Sequence, residues 1–401
     1  MQFPKRSGKW AYVGLIGWCF AFLVAGSGFA RAAEPAGTSY EINVILSLTG
    51  PGTFIGTAYR NSLRALEAVT NQSGGIHGVP LRFTIVDDQS SPQVALQLAG
   101  AITAKGVPLM LGPNLAATCR AVEPTVAKSG PVAYCLSPSI YPAPNSYVFS
   151  AGVSNRDFTA VLLRYVRLRG IRRIALLATT DSSGQAADQD FPALVALPEN
   201  KDLSIVAFEH FAPGDTSVAA QLAKIKATQP QLVVVWAPGT PFGTALRGMR
   251  DIGFEVPVAT TSANMSLDQM KQYGAFLPKE MYFMGPGYLG GSSANRGQQS
   301  AQNTFFAAMR ANSIFPDLVT GFAWDPGVIV VDALRKLGTG ASAAQIHDYI
   351  ESVRGLDGIS GTYDFSHGDQ RGVGENSITV LRWDEAHTRW LSVSGFGGKP
   401  L

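Results

Sequence analysis

Residues 41–75 read EINVILSLTG PGTFIGTAYR NSLRALEAVT NQSGG. Residues 41–48 form a β-branched, apolar run, which suits a buried strand. Gly50 and Pro51 make a loop. Residues 57–72 then bring Leu63, Leu66 and Val69 onto one helical face, and Gly74 and Gly75 end that helix. Working outward, the same strand-then-helix unit recurs. Residues 81–86 read as a strand. Pro92 opens a helix carrying Ala95, Leu98, Ala99 and Ile102, and Gly106 closes it. Strands at 107–111 and 131–136 flank a helix at 116–128. Helices at 157–169, 186–197, 218–228 and 243–252 alternate with strands at 173–178, 203–208, 231–236 and 256–260. Short buried strands separated by helices predict βαβ units and parallel sheets. The units are too many for one open sheet, so the expected fold class is α/β with two doubly wound lobes. After about residue 280 the order changes. A strand at 280–284 and a Gly/Pro-rich stretch precede helices at 294–310, 321–337 and 343–353. Closing strands are expected at 361–365, 377–382 and 390–393.

Composition bounds the function. Of 401 residues, 46% are hydrophobic and 15% charged, against about 25% charged in ordinary globular chains. That excludes disorder as the dominant state. Three cysteines are too few for a disulfide scaffold. Lys5, Arg6 and Lys9 precede an uncharged run at 11–30, and Ala30-Arg31-Ala32 offers small residues before Ala33. This three-part pattern predicts a cleaved export signal at 1–32. Trp18 before Cys19 argues against a lipid attachment site. The signal carries four cations and no anions, so its removal takes the formal charge from +3 to −1. A near-neutral chain without a basic stripe excludes nucleic acid as a partner. The expected location is an oxidising space such as a bacterial periplasm.

Catalytic and metal motifs are weak or missing. Gly285-Pro286-Gly287-Tyr288-Leu289-Gly290 matches G-x-G-x-x-G, but Pro286 and the Gly-Ser stretch behind it do not open a helix. The histidines at 77, 210, 347, 367 and 387 are scattered, with no paired metal spacing. Asp87-Asp88 reads as a solvated turn. The reading is therefore not an enzyme, with no cofactor and no metal.

The motifs in their order resemble the periplasmic solute-binding proteins of the leucine/isoleucine/valine-binding family of ABC transporters. The segment 42–51, INVILSLTGP, resembles that family's first strand and Leu-Thr-Gly-Pro loop. Residues 71–78, NQSGGIHG, are similar to its Asn-x-x-Gly-Gly-Ile-x-Gly turn. Asp87-Asp88 before Pro92, Leu111-Gly112-Pro113, Ser137-Pro138 and the stretch 361–369 match further segments. The resemblance implies the type I periplasmic-binding fold, two lobes joined by three crossings that close on a ligand. Lobe 1 would hold 40–155 and 283–367, and lobe 2 would hold 156–282 and 368–401. It also implies an inner-membrane ABC permease as partner. The expected ligand is a small organic acid, the alternatives being an amino-acid binder of the same family or a ligand-sensing subunit of a signalling complex with the same fold.

Open α/β sheets bind ligands at the carboxyl ends of their strands. That rule selects the loops 50–56, 112–119, 137–141, 179–184, 237–240 and 261–264. The candidate ligand residues there, or beside those loops, are Phe54, Asn114, Thr118, Ser137, Ser139, Tyr141, Asp181, Ser183, Trp236, Thr240 and Thr261. The family places a Ser or Thr against its ligand's carboxylate, and Thr118 with the neighbouring helix N–H groups fills that position. Amino-acid binders of the family supply a lobe 2 acid for the α-ammonium. Only Asp181 could do so here, and it could equally cap a turn. Phe54, Tyr141 and Trp236 suit a flat or apolar acid. Cys119, early in a helix, and Cys135, late in the next strand, share one sheet edge. A disulfide or two buried thiols would fit there.

Overall fold

The computed structural model describes residues 39–401. The expected export signal at 1–32 lies outside them. The first half of the chain runs β1 (Tyr40–Leu46), α1 (Thr53–Gln72), β2 (Leu81–Asp87), α2 (Pro92–Ala104), β3 (Leu109–Leu111), α3 (Ala116–Val126), β4 (Val132–Cys135) and β5 (Val148–Ser150). Then come α4 (Asn155–Leu168), β6 (Arg173–Thr179), α5 (Ser182–Val195), β7 (Ser204–Phe211), α6 (Ala219–Ala227), β8 (Leu232–Trp236), α7 (Thr240–Asp251), β9 (Val258–Thr260), α8 (Leu267–Tyr273) and β10 (Met281–Pro286). The chain ends with α9 (Arg296–Ala311), α10 (Leu318–Leu337), α11 (Ala343–Ser352), β11 (Arg354–Asp357), β12 (Thr362–Asp364), β13 (Ile378–Asp384) and β14 (Arg389–Ser392).

Two large sheets result. The first has the order β2-β1-β3-β4-β5 and is parallel throughout. The second has the order β14-β13-β10-β9-β8-β6-β7. Its strands from β6 to β10 are parallel, while β13 and β14 are added antiparallel at one edge. β11 and β12 form a separate hairpin.

Alternation along single strands shows why both sheets carry helices on both faces. Ile42, Val44 and Leu46 join the core shared with Leu63 and Leu66 of α1. Ile45, pointing the other way, packs with Ala95, Ala99 and Val122 of α2 and α3. In β8, Val234 and Trp236 face one core and Val233 and Val235 the other. A strand buried on both faces must be apolar at successive positions, as both runs are. α1 also packs closely on α10. A Cβ placed on Gly327 would lie 2.4 Å from Leu66 Cδ2, so a larger residue there would have to push that side chain aside.

The chain passes between the sheets three times, at 151–154, 287–295 and 365–377. The second passage begins later than residue 283, because β10 pairs with β9 through Phe283 and with β13 through Pro286. The third also comes late. Gln370 O accepts from Ser150 N and Gly372 O from Asp364 N, which holds 370–372 against the first sheet's side. Gly285 to Gly290 runs from the end of β10 into a single 3-10 turn at the start of the second passage, without the helix that a phosphate loop opens.

Candidate functional site

A cavity of about 630 Å³ opens where the two sheets' strand ends face each other, a volume suited to a small organic ligand. From the first sheet, Phe54 follows β1, Asn114 to Ala116 follow β3, and Ser137 to Ser139 follow β4. From the second, Ser183 follows β6, Pro238 and Gly239 follow β8, and Thr261 to Ala263 follow β9. α8 adds Ser266, Gln269 and Gln272 from its start and body, and α10 adds Leu318, Val319 and Phe322. Ile55, Tyr59 and Asn155 complete the lining.

The described residues of this lining are uncharged. Among the described residues, no Asp, Glu, Lys, Arg or His belongs to it. Tyr59 is the one ionisable side chain among those described residues, and burial pushes that phenol well above its usual range. Polar groups are few and placed by the backbone. Asn114 Oδ1 accepts Ser47 N–H at 2.7 Å, which leaves the Asn114 Nδ2 as a donor without a partner among the described residues. α3 starts at Leu115 with no side-chain cap, so its first N–H groups keep their partial positive charge at the cavity wall. Asn155 Nδ2, at the start of α4, donates to Ser139 Oγ at 3.3 Å and joins the two sides.

Of the residues expected from sequence, Phe54, Asn114, Ser137, Ser139, Ser183 and Thr261 line the cavity. Five others do not. Thr118 is fully buried and donates its hydroxyl to Leu115 O at 3.0 Å, the back-bonding of a Thr in a first helical turn. Trp236 is a core side chain, edge-on to Phe191 at 5.4 Å. Asp181 caps α5, accepting from Ser183 N at 3.0 Å, Gly184 N at 3.2 Å and Thr179 Oγ1 at 2.9 Å. Thr240 is exposed in the first turn of α7. Tyr141 is exposed and covers Arg371, 5.5 Å from its guanidinium carbon. The solvated turn expected at Asp87-Asp88 also differs. Asp88 is buried, with its Oδ1 accepting from Ser47 Oγ at 2.6 Å, and Asp87 accepts from Leu48 and Thr49. Both carboxylates therefore hold the β1 loop in place.

Sequence reasoning missed Gln269, Gln272 and the α10 residues. Gln269 and Gln272 share a face at i and i+3, but α8 is too short for its periodicity to stand out. Leu318 and Val319 lie before the helix expected at 321–337, because α10 begins three residues earlier, and nothing in the sequence set Phe322 apart within it. Cys119 and Cys135 are disulfide-bonded, with Cα atoms 6.1 Å apart. No group of three His, Cys, Asp or Glu among the described residues could hold a metal ion. No helix among them is long and apolar enough to cross a membrane.

The sequence profile of the periplasmic binding protein family matches residues 39–388. No curated protein matches the sequence. Solved structures do match. An extracellular ligand-binding receptor from Rhodopseudomonas palustris HaA2 has a TM-score of 0.76 at 19% identity, covering 88% of this chain and 99% of its own. The branched-chain amino acid transporter substrate-binding protein of Streptococcus pneumoniae, solved with isoleucine, has a TM-score of 0.71 at 19% identity, covering 88% and 98%. A leucine-binding protein from Thermotoga maritima has a TM-score of 0.71 at 15% identity, covering 88% and 97%.

Proposed function

The chain belongs to the periplasmic binding protein family, and from that membership we propose that it is the exported ligand-capturing component of an ABC importer. Its ligand on this reading is a small carboxylate with an aromatic or extended apolar body and no α-ammonium. The ligand enters between the lobes, the lobes close on it, and an inner-membrane permease receives the closed form.

The observation that carries the ligand class is the uncharged lining. A buried ammonium needs a carboxylate partner, and the described residues of the lining offer none. Asp181, the one acid the sequence put forward, is committed to the start of α5. A carboxylate is better served. The Asn114 amide nitrogen, the α3 N–H groups and the Ser137 and Ser139 hydroxyls all supply donors on one wall. Phe54, Ile55, Leu318, Val319 and Phe322 supply apolar cover.

Calorimetry with leucine, phenylalanine, 4-methylpentanoate and 3-phenylpropanoate tests the reading. The deaminated acids should bind at least tenfold tighter than their parent amino acids, since an unpaired ammonium in a closed cleft costs several kcal/mol. Tighter binding of either amino acid, lost in Asp181→Ala, would establish an amino-acid binder instead.

A further inference from the structure

Arg371 lies on the third passage between the sheets and is only 6% exposed. Its guanidinium donates to four main-chain oxygens in two separate places. Ala151 O at 3.2 Å and Gly152 O at 2.8 Å belong to the first passage. Pro138 O at 3.2 Å and Ile140 O at 2.5 Å belong to the loop that carries Ser137 and Ser139 into the cavity. Tyr141 covers the guanidinium from outside. Among the described residues, no carboxylate comes within ion-pair distance of it.

A buried cation demands partners, and here main-chain carbonyls supply them. A planar guanidinium can meet carbonyls on several sides at once, which an ammonium on a flexible stem does poorly. The peptide unit is planar and trans, so a carbonyl turned toward Arg371 turns the next N–H the opposite way. The orientation of residues 138–141 is thus set from the hinge side. Neighbouring backbone reinforces the link, since Gln370 O accepts from Ser150 N at 2.8 Å and Gln370 Nε2 donates to Ser146 O at 2.6 Å.

We propose that Arg371 is a positioning residue that couples the ligand loop to the hinge. It joins the first passage, the third passage and residues 138–140 in one rigid unit. A ligand held by Ser137 and Ser139 then bears directly on the angle between the lobes. The proposal rests on the clamp reading above, but its test needs no ligand.

Spin labels at Leu96→Cys in α2 and Lys201→Cys beyond α5 report the distance between the lobes, with the native disulfide leaving the other cysteines unlabelled. Pulsed electron resonance should give a narrow distribution with Arg371 present, and at least a doubling of its width in Arg371→Gln. Hydrogen exchange should quicken roughly tenfold at 137–141 and 151–154 together, with β6 and β8 unchanged. Arg371→Lys keeps the charge but cannot reach all four oxygens, so it should show a lesser version of both changes. An unchanged distance distribution would overturn the proposal. So would exchange that quickens equally throughout both lobes, or loss of folding in both variants, which would make Arg371 a structural residue only. Closure by added ligand is measured on the unsubstituted Arg371 chain, so failure of the clamp reading gives a separate result.

Discussion

Asp325 is 1% exposed in the middle of α10, and three donors converge on it. Ile359 N and Ser360 N reach it at 2.8 and 2.9 Å and the Tyr363 hydroxyl at 3.1 Å. Asp325→Asn puts an NH2 group against those donors and should cost about 1–3 kcal/mol in urea unfolding. The pH dependence follows from burial, which raises this carboxyl above its usual range despite the opposing hydrogen bonds. The folded chain keeps the proton at a pH where the unfolded chain has released it. That contribution is complete below the unfolded value of about 3.9 and is lost as pH rises through the folded one. The deficit of Asp325→Asn relative to the native chain should therefore grow as unfolding is moved from pH 7 toward pH 4. A deficit that shrinks would contradict the assignment. Asp181→Ala should cost about 1 kcal/mol for the lost helix cap, with the affinity for 3-phenylpropanoate unchanged in calorimetry. At this scale the sequence was only half legible. Asn114 and Thr118 both sit at the strand ends that the topology selects. Asn114 is fixed by Ser47 N–H from the β1 loop and Thr118 by Leu115 O in the first turn of α3, partners that spacing does not encode.

The Cys119–Cys135 bond ties the first turn of α3 to the end of β4, across 16 residues. It therefore holds the helix start whose N–H groups line the cavity to the strand that delivers Ser137. Intact mass of unreduced protein should fall two hydrogens below the reduced form, and alkylation should find neither thiol. Closing a loop of that length confines the unfolded chain by about 3 kcal/mol, so dithiothreitol should lower the melting temperature measurably. Two alkylatable thiols in the native chain would refute the bond. Most elements were readable from periodicity, because β1 and β8 bury both faces and α1 and α4 each present one. The exceptions are short. β5 has three residues and α8 seven, and neither length lets a period of two or 3.6 declare itself. The helix read at 57–72 begins earlier, at Thr53, because Gly-Pro-Gly looks like a breaker while the chain turns into the helix directly after Gly52.

At the scale of the molecule, a cavity lined from two sheets between which the chain passes three times predicts compaction on binding. Small-angle scattering with saturating ligand from the calorimetric screen should show a smaller radius of gyration, and an unchanged radius would count against closure. The two-lobe division was legible because the alternation of strand and helix breaks near residue 280. The passage points were less so, since Pro286 and Arg371 are placed by partners far away in sequence. The late arrival of β13 has a further consequence. It pairs with β10 across residues 287–377, a stretch that builds much of the other lobe. Neither lobe is therefore encoded by one continuous length of gene. A fragment stopping at residue 286 would present β10 with an open edge and would lack α9 to α11. Such a product should be recovered as aggregate, whereas a permuted chain opened at an exposed loop such as 213–216 keeps every pairing and should be recoverable in soluble form.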